Sequence, residues 1–372
     1  MLKQATVLAF LLASFTAAAA QPSVSLKDAY KGDFLIGAAL NTAEIADQAR
    51  SDAIVKQQFD SVSPEDALKW ENIHPQPGQY DFTIPDQYVA FGEKNHMFIV
   101  GHVLVWHNQT PDWVFHDAEG NLLTRDALLQ RLHDHIMTVV GRYKGRIKVW
   151  DVVNEAIDED GSMRQTLWYK IIGEDYIAKA FQYAHEADPA AELDYNDYGL
   201  ENPAKRKEAL ALIAKLKAAG VPVTTVGLQG HYALDWPALA QADETISDFA
   251  KLGVKIAITE LDIDVLPFPT KQQTADVKLS FRQDPALNPY TGGLPETVQE
   301  QLAQRYGDLF GVFLKHRDVI DRVTFWGVTD YDSWRNNWPI LDRTSYPLLF
   351  DRARQPKPAF TAVIEAAQKA AQ

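Results

Sequence analysis

Eight short runs of mainly apolar, strand-forming residues recur along the chain, and stretches with helical periodicity separate them. The runs cover residues 34–39, 59–63, 98–106, 148–154, 193–197, 226–231, 255–263 and 323–329. Several are almost continuously apolar, which is typical of parallel strands buried on both faces. Strands that alternate with helices form a parallel sheet, and eight repeats favour a closed (β/α)8 TIM barrel over an open doubly wound sheet.

Helix signals between the runs support this α/β interpretation. Thr124 precedes a stretch in which apolar residues recur at helical spacing, and Asn202-Pro203 predicts an N-cap followed by a first-position proline. A third helix is marked by apolar residues between 298 and 313. By contrast, residues 266–294 are rich in proline and glycine, so they predict a long loop beside the seventh strand, at the rim of the site.

The first 20 residues resemble a secretory signal peptide. Lys3 precedes an apolar stretch, and Ala18-Ala19-Ala20 provides small residues for cleavage. The apolar stretch is shorter than the roughly 20 residues that a membrane anchor needs. We therefore expect residues 21–372 to form a single catalytic barrel domain, exported to the periplasm or the medium. An exported chain without cysteine suggests a bacterial source.

Charge and composition exclude several kinds of function. The formal net charge is −14, which argues against a nucleic-acid or anionic-membrane partner. The lack of cysteine excludes disulfides and thiolate metal sites. The sequence has no G-x-S-x-G elbow, glycine-rich phosphate loop or H-E-x-x-H motif, and His133-Asp134-His135 lies on a predicted helix, where adjacent side chains diverge. We expect no metal and no cofactor.

Polar side chains stand where the predicted strands end, which is where barrel enzymes keep their active sites. The fourth run ends in Asn154-Glu155, and the seventh carries Glu260 and Asp262. Such groups are costly to bury, so their strands are expected to open into a cleft. Strands four and seven lie nearly opposite each other in a ring of eight. Two carboxylates that face each other can hydrolyse a glycosidic bond, although each could instead be a structural salt-bridge partner.

An ordered set of motifs along the chain resembles glycoside hydrolase family 10. Residues 150–156 resemble the family's acid/base segment, and residues 258–262 resemble its nucleophile segment. Further matches are Lys69-Trp70 with Pro75 and Gly78, and the segments 101–107, 196–198, 227–231 and 325–330. The matches follow the family's order over nearly the whole chain after residue 20.

The resemblance implies catalytic roles. Glu155 would be the general acid/base, with a pKa raised by the nearby charge of Glu260, and Glu260 would be the nucleophile. His231 and Asp262 would orient and tune the nucleophile in a carboxylate–imidazole–carboxylate chain. Asn154 would bind the sugar 2-hydroxyl. Taken alone, His231 would more often be a buried core histidine.

The resemblance also implies sugar contacts. His102, Trp106 and Gln229 would line the site of the cleaved sugar, and Glu65, Lys69 and Gln109 would bind the next sugar outward. Trp326 and Trp334 would form aromatic walls, and Tyr198 would flank the leaving-group side. Asp66 stands where the family usually has asparagine, and an ionised aspartate accepts hydrogen bonds but cannot donate them.

The expected function is that of a retaining endo-1,4-β-xylanase, which hydrolyses internal bonds of xylan by double displacement. Xylan and xylo-oligosaccharides would be its partners, and we expect a monomer. Retention requires the two carboxyl groups to lie about 5 Å apart. Two alternatives stay open from the residues alone. One is a retaining barrel glycosidase acting on cellulose or mannan, and the other is a non-catalytic carbohydrate-binding protein.

Overall fold

The computed structural model describes residues 24–47, 52–270 and 274–372, and it is a closed barrel of parallel strands. The strands are β1 Leu35–Leu40, β2 Ser61–Pro64, β3 Phe98–Val105, β4 Val149–Asn154, β5 Glu192–Asp197, β6 Thr225–Leu228, β7 His231–Ala233, β8 Lys255–Asp264 and β9 Ile320–Phe325. Each strand from β1 to β6 pairs with its neighbour, β6 pairs with β8, β8 pairs with β9, and β9 pairs with β1 to close the ring. Because β6 and β7 both pair with β8, they share one position, and the barrel has eight. The predicted fold is confirmed.

Helices connect consecutive barrel positions and surround the sheet. They are α1 Leu26–Ala29, α2 Thr42–Ala46, α3 Asp52–Gln58, α4 Trp70–Ile73, α5 Thr83–Lys94, α6 Arg125–Arg142, α7 Leu167–Ile172, α8 Tyr176–Ala187, α9 Pro203–Ala218, α10 Leu239–Ala250, α11 Glu296–Lys315 and α12 Pro358–Ala370. Single 3₁₀ turns occur at Asp112–Val114, Pro285–Leu287 and Trp334–Asn336. The two ends of the described chain meet, since the Tyr30 hydroxyl of α1's C-cap donates to the Val363 carbonyl of α12 at 2.6 Å.

The caps that the sequence predicts are present. The Thr124 side chain accepts a hydrogen bond from the backbone N–H of Ala127 and starts α6, which buries its apolar stripe against the barrel. Asn202 caps α9, and Pro203 occupies the first helical position. The helix predicted between residues 298 and 313 is α11. These local signals determine where the helices that connect the strands begin. The loop before each helix therefore ends at a defined residue, and functional groups can lie in that loop.

The bounds of two predicted strands differ from those in the structure by three residues or more. The sixth run was expected to continue to His231, but the strand breaks at Gln229-Gly230 between β6 and β7. Gly230 has φ +81°, and a Cβ there would lie 2.9 Å from the Ile258 side chain, so the break requires glycine. The eighth strand is β9 and ends at Phe325, so Trp326 lies just beyond it rather than within it.

The long loop predicted after the seventh strand is confirmed over its described part. Residues 265–295 contain no regular element there except the 3₁₀ turn Pro285–Leu287. Trp338 holds this loop by donating its indole N–H to the Asp276 carbonyl at 3.2 Å. Ala275 and Val277 of the loop reach the cleft at the carboxyl ends of the strands. The loop therefore does contribute to the rim of the site.

The inside of the barrel is more polar than its apolar strands suggest. Arg322 of β9 donates to the Asp194 carboxylate of β5, and both side chains are almost fully buried. Ser61 and Thr324, which both approach the inner face beside Gly37, are buried as well. Burying an arginine requires a partner of opposite charge, and Asp194 supplies it across the barrel.

The predicted signal peptide lies outside the described residues, so its cleavage and the export of the chain stay predictions. Among the residues that the structure describes, every helix is too short or too polar to cross a lipid bilayer.

Candidate active site

A cavity of about 170 Å³ opens at the carboxyl ends of the strands. It gathers all the predicted site residues except Asp262 and Tyr198: Glu65, Asp66, Lys69, His102, Trp106, Gln109, Asn154, Glu155, Gln229, His231, Glu260, Trp326 and Trp334. Two larger surface grooves, of about 720 and 700 Å³, lie against α11. Neither contains a predicted catalytic residue, so the smaller cleft is the candidate active site.

Glu155 follows directly after β4 and is held by three donors. Trp106 donates its indole N–H to Oε2 at 2.7 Å, and the amides of Gln229 and Asn154 donate to Oε1 at 3.1 and 3.2 Å. The backbone of Glu155 has φ +57°, a conformation that is costly for a residue with a side chain. This turn directs the carboxyl group into the cleft instead of along the sheet.

The pKa of Glu155 is raised to about 7, as the sequence analysis expected, but the cause differs. Burial is the largest contribution, and the charge of Asp197 adds to it. The expected cause was the charge of Glu260. Asp197 lies at the end of β5, beside the strand that leads to Glu155, and it has a cationic partner of its own in Lys205 at 2.8 Å. The Glu155 carboxyl group is protonated over much of the range below neutral pH.

Glu260, His231 and Asp262 form the predicted carboxylate–imidazole–carboxylate chain. His231 Nε2 lies 3.2 Å from Glu260 Oε2, and His231 Nδ1 lies 3.1 Å from Asp262 Oδ1. Burial opposes the charged imidazole, but the charges and hydrogen bonds of Asp262 and Glu260 together outweigh burial and raise the pKa of His231 to about 9. The imidazolium can therefore donate to both carboxylates at neutral pH.

The Glu260 carboxylate stays ionised although it is buried. Burial raises its pKa, but the hydrogen bond from His231 and the charge of His102 outweigh burial and hold the pKa below its ordinary value. The Asn196 amide also donates to Glu260 Oε1 at 2.7 Å. The pKa values of Glu155 and Glu260 are thus displaced in opposite directions. This is the pattern of a separate acid and nucleophile.

Amide side chains link the two glutamates directly. Asn196 of β5 donates both to Glu260 and to Asn154 Oδ1, the latter at 3.0 Å, while Asn154 donates to Glu155. Thr259 donates to Asn196 Oδ1 at 2.6 Å and fixes the orientation of that amide. Both carboxyl groups therefore belong to one hydrogen-bonded network, as a pair that acts on one bond requires.

The predicted sugar contacts on β2 and β3 form a second polar cluster. Lys69 Nζ lies 2.9 Å from Asp66 Oδ1 and 2.7 Å from Gln109 Oε1, and it stands over the Trp106 ring at 5.0 Å from its centre. His102 lies in the cleft with Nδ1 at 2.8 Å from the buried Asp151 carboxylate, which fixes its ring. These side chains offer hydrogen-bond donors and acceptors along one edge of the cleft.

Asp66 and its neighbour Glu65 have opposite protonation preferences. Burial and the charge of Asp66 raise the pKa of Glu65 to about 8, so Glu65 can donate a hydrogen bond. Burial also acts on Asp66, but Lys69 outweighs it and holds the pKa of Asp66 below its ordinary value. Asp66 lacks the amide donor of the family's usual asparagine, and the protonated Glu65 supplies a donor beside it.

Aromatic rings form a further wall of the cleft. Trp326 is buried and makes a T-shaped contact with His102 at 5.3 Å between ring centres, and Trp334 stacks on Trp338 at 4.6 Å. The Trp334 indole N–H donates to Asp262 Oδ2 at 2.7 Å. The walls predicted from the sequence are therefore in the cleft, and one of them is tied to the Glu260 network.

Tyr198 is not where the sequence analysis expected it. It was predicted to flank the leaving-group side, but the ring is only 2% exposed and does not line the cleft. Its hydroxyl accepts from Arg164 at 3.0 Å, and Lys205 Nζ lies 3.6 Å from the ring centre. Arg164 in turn donates to the Glu155 carbonyl at 3.0 Å, so Tyr198 supports the acid/base segment from behind.

His133 and His135 lie on α6 and diverge, as predicted. His135 is fully buried and stacks on Trp70 at 3.5 Å between ring centres, whereas His133 lies near Glu186. Across residues 24–47, 52–270 and 274–372, no group of three or more histidine, aspartate or glutamate side chains is arranged to hold a metal ion.

Comparison with known proteins identifies the family of this cleft. The sequence model of glycosyl hydrolase family 10 matches residues 25–366. The chain belongs to this family. It is 43% identical to the endo-1,4-beta-xylanase A of Xylanibacter ruminicola over 350 residues, which are 94% of this chain and 95% of the relative. It is 42% identical to the beta-1,4-xylanase of Dictyoglomus thermophilum over 343 residues, which are 92% of this chain and 90% of the relative.

Solved structures of family 10 agree with this assignment. A GH10 endoxylanase retrieved from a sugarcane soil metagenome is 47% identical, with a TM-score of 0.90 over 92% of this chain and 99% of the other. A mutant structure in complex with xylotriose is 36% identical, with a TM-score of 0.82 over 92% of this chain and 100% of the other. The chain is therefore a glycoside hydrolase.

Several functional residues of this family 10 site escaped the sequence analysis. Asn196 was recognised as part of a motif but not as the bridge between the glutamates, and Arg164 and Arg335 were not considered. Arg164 lies in the loop after β4 and donates to the Glu155 carbonyl, whereas Arg335 lies in the 3₁₀ turn Trp334–Asn336 and donates to Asp262. Arg164 is only nine residues from Glu155 in the sequence, but Arg335 is 73 residues from Asp262, so the sequence alone does not connect that pair.

Proposed function

We propose that the chain is an endo-1,4-β-xylanase that cleaves xylan with retention of configuration, with Glu155 as general acid/base and Glu260 as nucleophile. The observation that carries this proposal is the pair of buried carboxyl groups in one cleft, with the pKa of Glu155 raised and that of Glu260 lowered. A non-catalytic binding protein needs aromatic walls, but it has no use for such a pair.

In the first step, Glu155 donates its proton to the glycosidic oxygen while a Glu260 oxygen bonds to the anomeric carbon. The bond to the leaving sugar breaks, and a glycosyl ester forms on Glu260. Trp106 and Gln229 hold the Glu155 carboxyl group, and Asn196 and His231 hold the attacking carboxylate. We expect Asn154, which donates to Glu155 and accepts from Asn196, to bind the 2-hydroxyl of the sugar.

In the second step, water replaces the leaving sugar. Glu155 is now a carboxylate, and it takes a proton from the water that attacks the anomeric carbon. The ester to Glu260 breaks, and its carboxylate is restored next to His231. Two displacements at the same carbon give retention. The elevated pKa of Glu155 suits both tasks, because a group that titrates near the working pH can donate and accept.

Xylan is the substrate that the relatives and the aromatic wall support. Both curated relatives described above are named xylanases, and one of the solved structures contains xylotriose. Xylose lacks the hydroxymethyl group of glucose. The buried Trp326 beside His102 leaves little room at that edge of the sugar, and sterics would therefore favour xylan over cellulose.

Replacing Trp326 by alanine is expected to lower the ratio of xylan to cellulose activity about tenfold, the scale of discrimination by one small group in an apolar pocket. The substitution opens space for a hydroxymethyl group without touching either glutamate. The measurement is kcat/KM on xylan and on carboxymethylcellulose for both proteins. An unchanged ratio would show that Trp326 does not set this preference.

The pH dependence follows from the two displaced pKa values. Glu155 must be protonated, so kcat/KM is expected to fall as the pH rises through about 7. Glu260 must be ionised, so the acid limb should lie below 4.5, the ordinary value of a glutamate. The check is a profile of kcat/KM between pH 3 and 9 (about one point per half unit) on a soluble xylo-oligosaccharide. A rate that continues to rise above pH 7 would contradict this assignment of the acid.

The function is tested by substrate choice together with stereochemistry. Reducing-sugar release should be largest on xylan when xylan, carboxymethylcellulose and mannan are compared at equal mass concentration. NMR of the first products from xylopentaose should show the β-anomer before mutarotation. Predominant activity on cellulose or mannan would replace xylan as the substrate, and initial α-anomers would exclude the retaining mechanism.

A further inference from the structure

Arg335, which belongs to none of the sequence motifs, contacts Asp262. Asp262 is the last member of the chain Glu260–His231–Asp262, which we call the nucleophile network. The Arg335 Nε donates to Asp262 Oδ1 at 2.8 Å, the same oxygen that faces His231, while Trp334 donates to Asp262 Oδ2. Asp262 itself is fully buried and does not line the cleft. Both oxygens of the Asp262 carboxylate are therefore hydrogen-bonded to residues that line the cleft, His231 at Oδ1 and Trp334 at Oδ2.

The guanidinium group of Arg335 cannot easily leave this position. It is 2% exposed, and its Nη1 lies 3.4 Å from Asp264 Oδ2. Its central carbon lies 5.2 Å from the centre of the Trp334 ring and 5.5 Å from that of Trp338, so the stacked pair covers it. An arginine with a planar fork can hold both aspartates and stack on both rings, which lysine cannot do.

The charges of this region alternate along a line. Glu260, Asp262 and Asp264 are the acids, and His231, Arg335 and Arg343 are the bases between and beyond them. The groups that face Asp262 or Glu260 from other elements are Glu65 after β2, His102 of β3, Asn196 of β5, Tyr306 of α11 and the Trp334 indole. Without Arg335, two buried carboxylates would share His231 and the distant Arg343, whose Nη2 is 3.9 Å from Asp264.

We propose that Arg335 is a positioning residue for the nucleophile: by anchoring Asp262 and the Trp334 wall together, it keeps His231 against Glu260 where the sugar binds. This inference rests on the proposed role of Glu260. The inference goes beyond that role, because one residue, Arg335, would hold both the Trp334 ring and the Asp262 carboxylate in place. A change at Arg335 must then disturb both the attack on the sugar and its placement.

The test compares Arg335→Gln, Arg335→Lys and a control, Arg206→Gln. Arg206 is also buried and ion-paired, but with Glu244 between α9 and α10, far from the cleft residues. Each protein is assayed on xylan and on 2,4-dinitrophenyl β-xylobioside, whose leaving group needs no proton. Thermal unfolding of each variant verifies that it is folded.

For Arg335→Gln we expect kcat to fall about tenfold or more on both substrates, because the defect lies on the nucleophile side. The acid limb of kcat/KM should move up by about one pH unit, since Asp262 loses an adjacent cation. Arg335→Lys should restore the limb and give an intermediate kcat, and Arg206→Gln should match the wild type. A merely structural role would change stability without moving the limb.

An unmoved acid limb in Arg335→Gln would overturn the proposal, as would a loss of kcat that disappears on the activated substrate. If Arg335→Gln does not fold, Arg335→Lys decides, and a wild-type kcat in that variant is the negative result. Glu260→Ala, assayed in parallel, separates the two hypotheses. Retained turnover there removes the nucleophile assignment, whereas lost turnover with an unmoved Arg335→Gln limb removes only the positioning role.

Discussion

Replacement of Glu260 by alanine is expected to reduce xylan hydrolysis by a factor on the order of 10⁴, because the ester intermediate can no longer form. The cleft should otherwise persist. Asn196 remains held by Thr259 and Asn154, and His231 keeps its contact with Asp262. Binding of xylo-oligosaccharides should therefore remain measurable by calorimetry while turnover is lost.

Azide gives this experiment a positive readout. In Glu260→Ala a small anion can enter the space of the lost carboxylate and attack the anomeric carbon from the same side. With 2,4-dinitrophenyl β-xylobioside, azide should restore turnover and give the α-azide, which NMR distinguishes from the β-azide. Recovery without α-azide would place the nucleophile elsewhere.

A matched control tests whether the loss of activity is specific to Glu260. Glu300 is an exposed glutamate on α11, outside the cleft, and its replacement by alanine should leave kcat within about twofold of the wild type. If Glu260→Ala retained comparable activity, Glu260 would not be the nucleophile, and the covalent step would have to use another group.

The architecture was accessible from the sequence because each of its signals is local. Continuous apolar runs mark buried parallel strands, and Thr124 and Asn202 cap the helices that the periodicity predicts. The errors occur where tertiary structure decides the bounds. The break at Gln229-Gly230 depends on the close approach of Ile258, a contact between neighbouring strands that no local pattern reveals.

The residues of the candidate site could be predicted from the sequence where polar side chains directly follow an apolar strand. Glu155 and Glu260 stand out because carboxylates after apolar runs are costly unless a cleft receives them. Tyr198 follows the same pattern, yet it turns inward to meet Arg164. The direction of a side chain just past a strand depends on the loop backbone, which the sequence pattern does not specify.

The cause of the raised Glu155 pKa shows a second limit of prediction from the sequence. Sequence reasoning paired the two catalytic charges because they share one mechanism. In the structure, burial and Asp197 act on Glu155, and His231 and His102 act on Glu260. Each glutamate has its own electrostatic environment, built from residues on different strands. Neither environment can be assigned without knowing which residues the folded barrel brings together.

Glu155 is expected to show a different signature from Glu260 when it is replaced by alanine. Xylan hydrolysis should fall about 10³-fold, because a poor leaving group departs only with protonation. With 2,4-dinitrophenyl β-xylobioside, formation of the glycosyl ester should be nearly unaffected, since that leaving group is stable as an anion. The ester should then accumulate, because no base activates water, and a burst of dinitrophenol followed by a slow steady state is the expected time course.

Azide should accelerate the slow phase of Glu155→Ala by attacking the ester from the side of the missing carboxylate, so the product is the β-azide. The basic limb of the pH profile near 7 should disappear, because the titrating group is gone. Glu201→Gln is the matched control. Glu201 is also buried, and burial also raises its pKa, but it pairs with Tyr232 outside the cleft. That variant should keep the basic limb, and loss of the limb in both proteins would mean that another group sets it.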